Sequence, residues 1–369
     1  MITVTRPWLP DRKKLDKYID EMYVSQQLTN GGPLLDNLTA RLKQHLDVKH
    51  IILVNNGTSA LQVALKALSI SGEVITSPFS FIATSSAIQW LGLQPVFADI
   101  DPRTFNLEPK NVEKCITDNT TAILATHVFG NPCEHDALRA LADKYNLKLL
   151  YDAAHCFGVK QNDSSVLNYG DISVLSFHAT KLFHTMEGGA IITNSDDMAK
   201  KIKLMINFGI ENKDTISLCG INAKLNEMSA AMGLAVLDDI DIITGRRELI
   251  AKRYYKALQG VVGLQCIKKN VLHNHSYLPI VLKSEFEVNT LINIFEKKKV
   301  IPRRYFYPSL DTLSFLKSRN TCPKSRSLSS RVLCIPIYPT MELNDQSFII
   351  DIIINTLSSI RSNEKIRSS

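Results

Sequence analysis

Between residues 50 and 193, short runs of Ile, Val and Leu recur, each closed by polar residues and most followed by a stretch with helical spacing. The runs lie in "HIILV" (50–54), "EVITSPFSF" (73–81), "QPVFADID" (94–101), "TAILATHVFGNP" (121–132), "LKLLYDAAH" (147–155), "DISVLSFHA" (171–179) and "GGAIITN" (188–194). Strands this continuously apolar are buried on both faces, and crossover helices are what cover them. The pattern therefore predicts an α/β fold built on a large, mostly parallel sheet. Right-handed crossovers gather the strand C-termini along one edge, outside which ligands of open α/β sheets bind.

Ahead of the first strand come a Pro-x-x-Pro, a helix, the turn "LTNGGP" (28–33) and an amphipathic helix over 34–46. Asn-Gly-Gly-Pro offers little but a turn. From about residue 226 the texture changes to a long helical stretch, with a break expected near Gly245. Short strands in "HSYLPIVL" and "VLCIPIY" then mix with helices in "EFEVNTLINIFEKKK" and "DQSFIIDIIINTLSSI". The reading is a large domain over 1–245 with an N-terminal arm, and a smaller α+β domain over 246–369. The final "RSNEKIRSS" is expected to fray.

A chain of 369 residues exceeds one simple core, which supports two units. The net charge of +7 is dispersed, apart from clusters such as "EKKKVIPRRY" (296–305), so no nucleic-acid-binding face is expected. It is compatible with an anionic small substrate. The seven cysteines are irregularly spaced with no CxxC pair, which argues against a zinc site and a disulfide framework. No signal-peptide core opens the chain and no apolar run reaches bilayer length. A soluble, cytoplasmic protein without metal or membrane partner is expected.

Four features fall at or just beyond the strand ends. In "NNGTSAL" (55–61), Thr58 or Ser59 starts a helix. Its free N–H groups either find an ordinary cap or hold a phosphate. Asp152 ends a buried strand, where it caps a turn or pairs with a cation. Phe81 is core or a stacking surface. Lys181 closes "SFHATK" (176–181), 29 residues after Asp152. It is a solvated loop residue or a reactive amine. Pyridoxal 5′-phosphate uses all four: an amine for its aldehyde, a carboxylate at its ring nitrogen, a phosphate cradle and a surface for its ring.

The order "NNGTSAL", "SPFSFIATSSAI", "PVFADID", "HVFGNPC", "YDAAHCFG", "SFHATK", "EGGAIIT", "GINAKLNEMSAAMGL" and "IPIYPTM" resembles the DegT-type nucleotide-sugar aminotransferases over almost the whole chain. These are fold type I pyridoxal-phosphate enzymes. The resemblance implies Lys181 as the Schiff-base lysine and as acid and base in the proton shift. It implies Asp152 at the ring nitrogen, His155 near the phenolic oxygen, Phe81 on the ring, and Thr58, Ser59 and Ser176 around the phosphate. Lys224 stands where relatives place an Asn or Arg that reaches the phosphate of the neighbouring subunit, which implies a homodimer with shared sites. Thr29 and Gly31 in "TNGGP", His178, and Arg303, Arg304, Tyr305 and Tyr307 in "RRYFYPSL" are expected on the sugar-nucleotide side. L-Glutamate is the expected donor. The expected acceptor is dTDP-4-dehydro-6-deoxy-D-glucose, which gives dTDP-4-amino-4,6-dideoxy-D-glucose, an O-antigen precursor. The runner-up is a C3-aminating enzyme on a dTDP-3-dehydro sugar. Another type I reaction, such as a desulfurase using Cys219, or a lyase, ranks lower.

Overall fold

The computed structural model describes residues 1–316 and 319–368. The apolar runs form seven strands: β1 His50–Val54, β2 Glu73–Thr76, β3 Gln94–Phe97, β4 Thr120–Thr126, β5 Lys148–Asp152, β6 Ile172–Ser176 and β7 Gly189–Thr193. They lie in the order β1-β7-β6-β5-β4-β2-β3. Pairings among β3, β2, β4, β5 and β6 are parallel, and β7 runs antiparallel between β6 and β1. Six strands thus point the same way, and their C-termini share an edge with the start of β7.

Several strands stop earlier than the apolar pattern suggests. β2 ends at Thr76, and the "SPFS" that follows is a turn; Phe81 is the cap residue of the next helix. Pro78 has no N–H for a ladder, which removes the reason to stay extended.

Among the described residues, twelve α-helices accompany the strands: α1 Arg12–Ser25, α2 Pro33–Leu46, α3 Gly57–Ala67, α4 Ile82–Trp90, α5 Pro109–Cys115, α6 His135–Lys144, α7 Asp196–Met205, α8 Glu227–Leu237, α9 Ile240–Leu258, α10 Glu285–Lys297, α11 Pro323–Arg331 and α12 Leu343–Ser368. Alternate residues of β1 split between two cores, as the period of a strand requires. Ile51 and Leu53 join α1, α2 and α8, whereas Ile52 and Val54 join α3, α4 and α7. Helix α8 is apolar nearly all round and is buried nearly all round. Its first residue, Glu227, is buried and accepts the N–H groups of Leu34 (2.9 Å) and Leu35 (2.8 Å) at the start of α2. A Cβ on Gly32 would lie 2.6 Å from that carboxyl carbon, so a larger residue there would have to displace the Glu227 carboxylate from its bonds to Leu34 and Leu35.

The helical stretch from 226 breaks at Asp238–Asp239, while Gly245 lies inside α9. The break turns two carboxylates toward the N-terminal arm. Asp238 accepts from Tyr18 (3.0 Å) and pairs with Arg41 (2.8 Å). Asp239 accepts from Trp8 Nε1 (3.0 Å) and pairs with Lys14. Gly245 has open space around it and tolerates the helix.

A further core joins α9, α10 and α12 to the antiparallel strands β8 Gly263–Leu264, β9 Leu278–Val281 and β10 Val332–Ile335. Ile2–Thr3 pairs with Val300–Ile301, so the first residues extend this C-terminal unit. The helix α12 continues to Ser368 where fraying was expected, and Ser369 lies outside the described residues. Arg361 anchors it, bonding the buried Glu287 (2.7 Å) and the carbonyl of Val261 (2.7 Å).

Candidate active site

At the shared edge of the sheet lies a cavity of about 250 Å³. Its lining brings together Thr58, Phe81, Asp152, His155, Ser176, His178, Lys181, Arg303 and Tyr305 from the residues singled out above. Helix α3 aims its N-terminus at this space. Asn56 caps it by accepting the N–H of Ser59 (2.8 Å), which leaves the first N–H groups for an anion. Close packing holds that end in place. A Cβ on Gly57 would sit 3.0 Å from Ser176 Cβ, and one on Gly189 would sit 2.8 Å from the Asn56 carbonyl carbon. Phe81 is 48% exposed, an unusual state for a phenylalanine between two core elements, and it lines the cavity.

Asp152 sits at the end of β5, the most deeply flanked strand end. Its carboxylate accepts from Thr84 Oγ1 (2.7 Å) and from the Ala154 N–H (3.2 Å). Thr84 is held by Ser80 (2.8 Å), which also meets Thr126 (3.0 Å). Burial raises the Asp152 pKa above the ordinary carboxylate range, while those hydrogen bonds and Lys181 pull it down. Burial lowers the Lys181 pKa, which favours the free amine. Its ammonium lies 5.6 Å from the centre of the Tyr277 ring. A buried carboxylate and a desolvated amine thus face one space, and each gains from a cationic or electrophilic guest.

His155 lines the same cavity. Its Nδ1 accepts the Phe129 N–H (3.2 Å), and burial holds the imidazole pKa well below its usual value. The proton therefore sits on Nε2. Asn274 ties the His155 and Phe157 carbonyls (2.8 and 2.9 Å) to the segment that carries Tyr277. Arg247, fully buried, donates to the His275, Ser276 and Ile337 carbonyls at 3.1–3.3 Å. Tyr277, Arg303, Tyr305 and Phe306 complete the lining from the C-terminal unit. The Arg303 guanidinium stacks 4.4 Å over the Tyr305 ring.

Other expected residues lie outside this lining. Ser59 contributes its N–H to the Asn56 cap. Lys224 sits beside the end of β1 and donates to Asn207 Oδ1 (2.7 Å). Thr29 is exposed, and Gly31 takes a left-handed turn at φ 81°. Arg304 pairs with Glu285 (2.7 Å) and stacks 3.4 Å over Tyr307, so both are engaged with each other. Cys219 is exposed and does not line the cavity. Sequence reasoning missed Asn56, Ser80, Thr84, Thr126, Tyr277 and Phe306. Asn56, as the residue before Gly57, carried a readable cap signal; the others are brought in by packing alone.

The donor set fits pyridoxal phosphate. The anion-ready helix start, the exposed aromatic face, the buried carboxylate and the neutral-leaning amine surround one volume.

The model of the DegT/DnrJ/EryC1/StrS aminotransferase family matches residues 10–354. A dTDP-4-amino-4,6-dideoxy-D-glucose transaminase of Shigella dysenteriae is 41% identical over 367 residues, 98% of this chain and 99% of its own. One of the same name from Escherichia coli is 37% identical, covering 94% of this chain and 95% of its own. Among solved structures, DesI in the presence of its TDP-sugar product superposes with a TM-score of 0.93 at 32% identity, covering 100% of this chain and 96% of that one. Among the described residues, no helix is long and apolar enough to cross a membrane.

Proposed function

The chain belongs to the DegT/DnrJ/EryC1/StrS aminotransferase family and is a pyridoxal-phosphate-dependent sugar aminotransferase, and we propose that it moves the amino group of L-glutamate to C4 of dTDP-4-dehydro-6-deoxy-D-glucose. The product is dTDP-4-amino-4,6-dideoxy-D-glucose, made in the cytoplasm for O-antigen or related surface polysaccharide. The observation that carries the catalytic reading is Lys181 and Asp152 facing one cavity at the sheet edge. Support for the sugar comes from the two relatives at 41% and 37% identity that bear that product's name.

When bound, pyridoxal phosphate supplies an aldehyde for amines and a protonated ring that accepts the electrons freed when a carbon loses its proton. The chain's residues do the rest. Asp152 would keep a proton on the ring nitrogen, because its buried charge needs a cation. Thr58, Ser176 and the N-terminus of α3 would hold the phosphate, with Ser59 beside them through its hydroxyl since its N–H serves the Asn56 cap, and Phe81 would cover the ring. His155, neutral with its proton on Nε2, would be available as a donor to the phenolic oxygen. Lys181 would act as base at the amino-bearing carbon of glutamate and as acid at the acceptor carbon that gains the amine, and burial lowers its pKa in the direction that favours the free base. Arg303 and Tyr305 face substrate anions. Lys224 reaches the phosphate of a second copy, so the working unit is a homodimer. Thr29, Gly31, Arg304 and Tyr307 serve the nucleotide side at its outer margin.

The test is to incubate the enzyme with glutamate and a panel of dTDP- and UDP-linked keto-sugars, and to identify products by mass and NMR. We expect one 4-amino dTDP sugar, and no product from Lys181→Ala. Amination at C3, or of UDP sugars alone, overturns the assigned acceptor. Sedimentation at low micromolar concentration should give a dimer, and a monomer with full activity would remove the shared site.

A further inference from the structure

The two oxygens of Asp152 are held from different directions. Oδ1 accepts the Ala154 N–H (3.2 Å) from its own chain, and Oδ2 accepts the Thr84 hydroxyl (2.7 Å) from the first turn of α4. Ser80 Oγ, in the turn between β2 and α4, lies 2.8 Å from Thr84 Oγ1 and 3.0 Å from Thr126 Oγ1. Thr126 is the last residue of β4 and the register partner of Asp152. The start of α4, the turn before it and the end of β4 each send one hydroxyl to a single line. All three residues are buried, where an unpaired hydroxyl is costly.

Counting hydrogens gives the line a direction. An ionised carboxylate only accepts, so the Thr84 hydrogen is committed to Asp152. Thr84 then receives the Ser80 hydrogen, and Ser80 receives that of Thr126. Three hydroxyls supply three hydrogens to three bonds, and the last bond ends on the anion. A hydroxyl bonds an ionised oxygen more strongly than a neutral acid, and successive bonds in one direction strengthen each other. The line therefore favours the carboxylate over the carboxylic acid, against the effect of burial. Ala154 and Thr84 also take one site on each oxygen, which fixes the carboxylate plane and leaves its other lone pairs for a ring N–H.

We propose that Thr84 is a positioning residue that holds Asp152 ionised and in a fixed plane, and that Ser80 and Thr126 act on Asp152 through it. This rests on the reading that Asp152 meets the ring nitrogen of pyridoxal phosphate. The titratable groups around Asp152 come from several elements. Lys181, after β6, pulls toward the anion. His155 and Cys156 follow Asp152 in the chain, and His127, whose N–H bonds the Asp152 carbonyl (3.1 Å), follows β4. Burial keeps these imidazoles unprotonated and the thiol protonated. Helix α4 carries no charged residue. His178, Glu187, Tyr277, Arg303 and Tyr305 share the cavity lining.

The test titrates the full-length, cofactor-stripped chain with pyridoxal phosphate between about pH 5 and 8.5. It compares wild type with Asp152→Asn, Thr84→Val, Thr84→Ser, Ser80→Ala and Thr126→Val. The two valine variants keep the shape of threonine and lose its hydroxyl. We expect wild type to bind more tightly than Asp152→Asn at high pH, and this advantage to fade as pH falls and Asp152 takes up a proton. In Thr84→Val the advantage should fade about one pH unit higher, the size of one lost bond to a charged group. Thr84→Ser should restore the wild-type profile. Ser80→Ala should shift it by less, and Thr126→Val by least. At pH 7 the glutamate half-reaction of Thr84→Val should slow about 3- to 10-fold, with apparent glutamate affinity within about twofold. A wild-type profile in Thr84→Val, a loss equal at every pH, or a larger shift in Thr126→Val than in Thr84→Val would overturn the inference and leave Asp152 in its role. If Thr84→Val does not fold, Ser80→Ala must still shift the profile in the same direction, and no shift there overturns the inference. Equal affinity of wild type and Asp152→Asn at every pH would remove the ring-nitrogen reading itself, and the inference with it.

Discussion

Asp152 is held in a state that the protein by itself disfavours. Its pKa is raised by burial, so in the absence of a cation its ionised form costs stability once pH exceeds the unfolded carboxylate value. Asp152→Asn should therefore raise the Tm of the cofactor-free chain by about a degree or two, while lowering affinity for pyridoxal phosphate at least about tenfold. Thermal melts with and without cofactor read both signs, and a variant destabilised in both states contradicts the account. Asp152 and Lys181 were legible in sequence because the apolar neighbours of each reveal burial, and burial of a charge asks for a partner. Thr84 and Tyr277 were not legible. Thr84 is an ordinary helix residue until α4 crosses β5, and Tyr277 lies 96 positions beyond Lys181 in an unremarkable strand start.

Helix α3 contributes through its end rather than through any one side chain. The first N–H groups act on an anion only while Gly57 lets them approach β6. Gly57→Ala should push the helix start from Ser176 and lower affinity for pyridoxal phosphate about tenfold, with little change for pyridoxal, which lacks the phosphate. Equal losses for both would show a general collapse of the cavity. Element types were readable from periodicity and turn residues, since buried strands and capped helices carry local signals. Their ends were not always readable. β2 stops at Thr76 because the following Ser-Pro turns, and the α8–α9 break is fixed by the pull of Trp8, Lys14, Tyr18 and Arg41 on two aspartates. Those partners lie more than 190 residues away in sequence, where no window sees them.

Across the whole molecule, buried histidines set a limit on acid stability. Burial lowers His135 and His273 to about 3 and His275 to about 4, and lowers His127 and His155 as well. The unfolded chain takes up these protons first, near pH 6.5. Stability is therefore full above that value and falls as pH drops toward the folded values, by up to about 1.4 kcal/mol per pH unit for each histidine. Urea midpoints should decline steeply between pH 6.5 and 4.5, and a flat profile would show that these rings are solvated. The α/β class and the site's place at the sheet edge followed from the strand pattern. The antiparallel turn of β7 and the pairing of Ile2 with Val300 did not, because strand direction and partner are decided by the whole assembly. The cavity also has a divided ancestry along the chain. The residues that line it fall in two stretches, between 56 and 187 and between 277 and 306. Variation in the second stretch can retune which sugar is accepted while the first stays constant, so a combinatorial library confined to Arg303, Tyr305 and Phe306 would explore acceptor choice on an intact catalytic chassis.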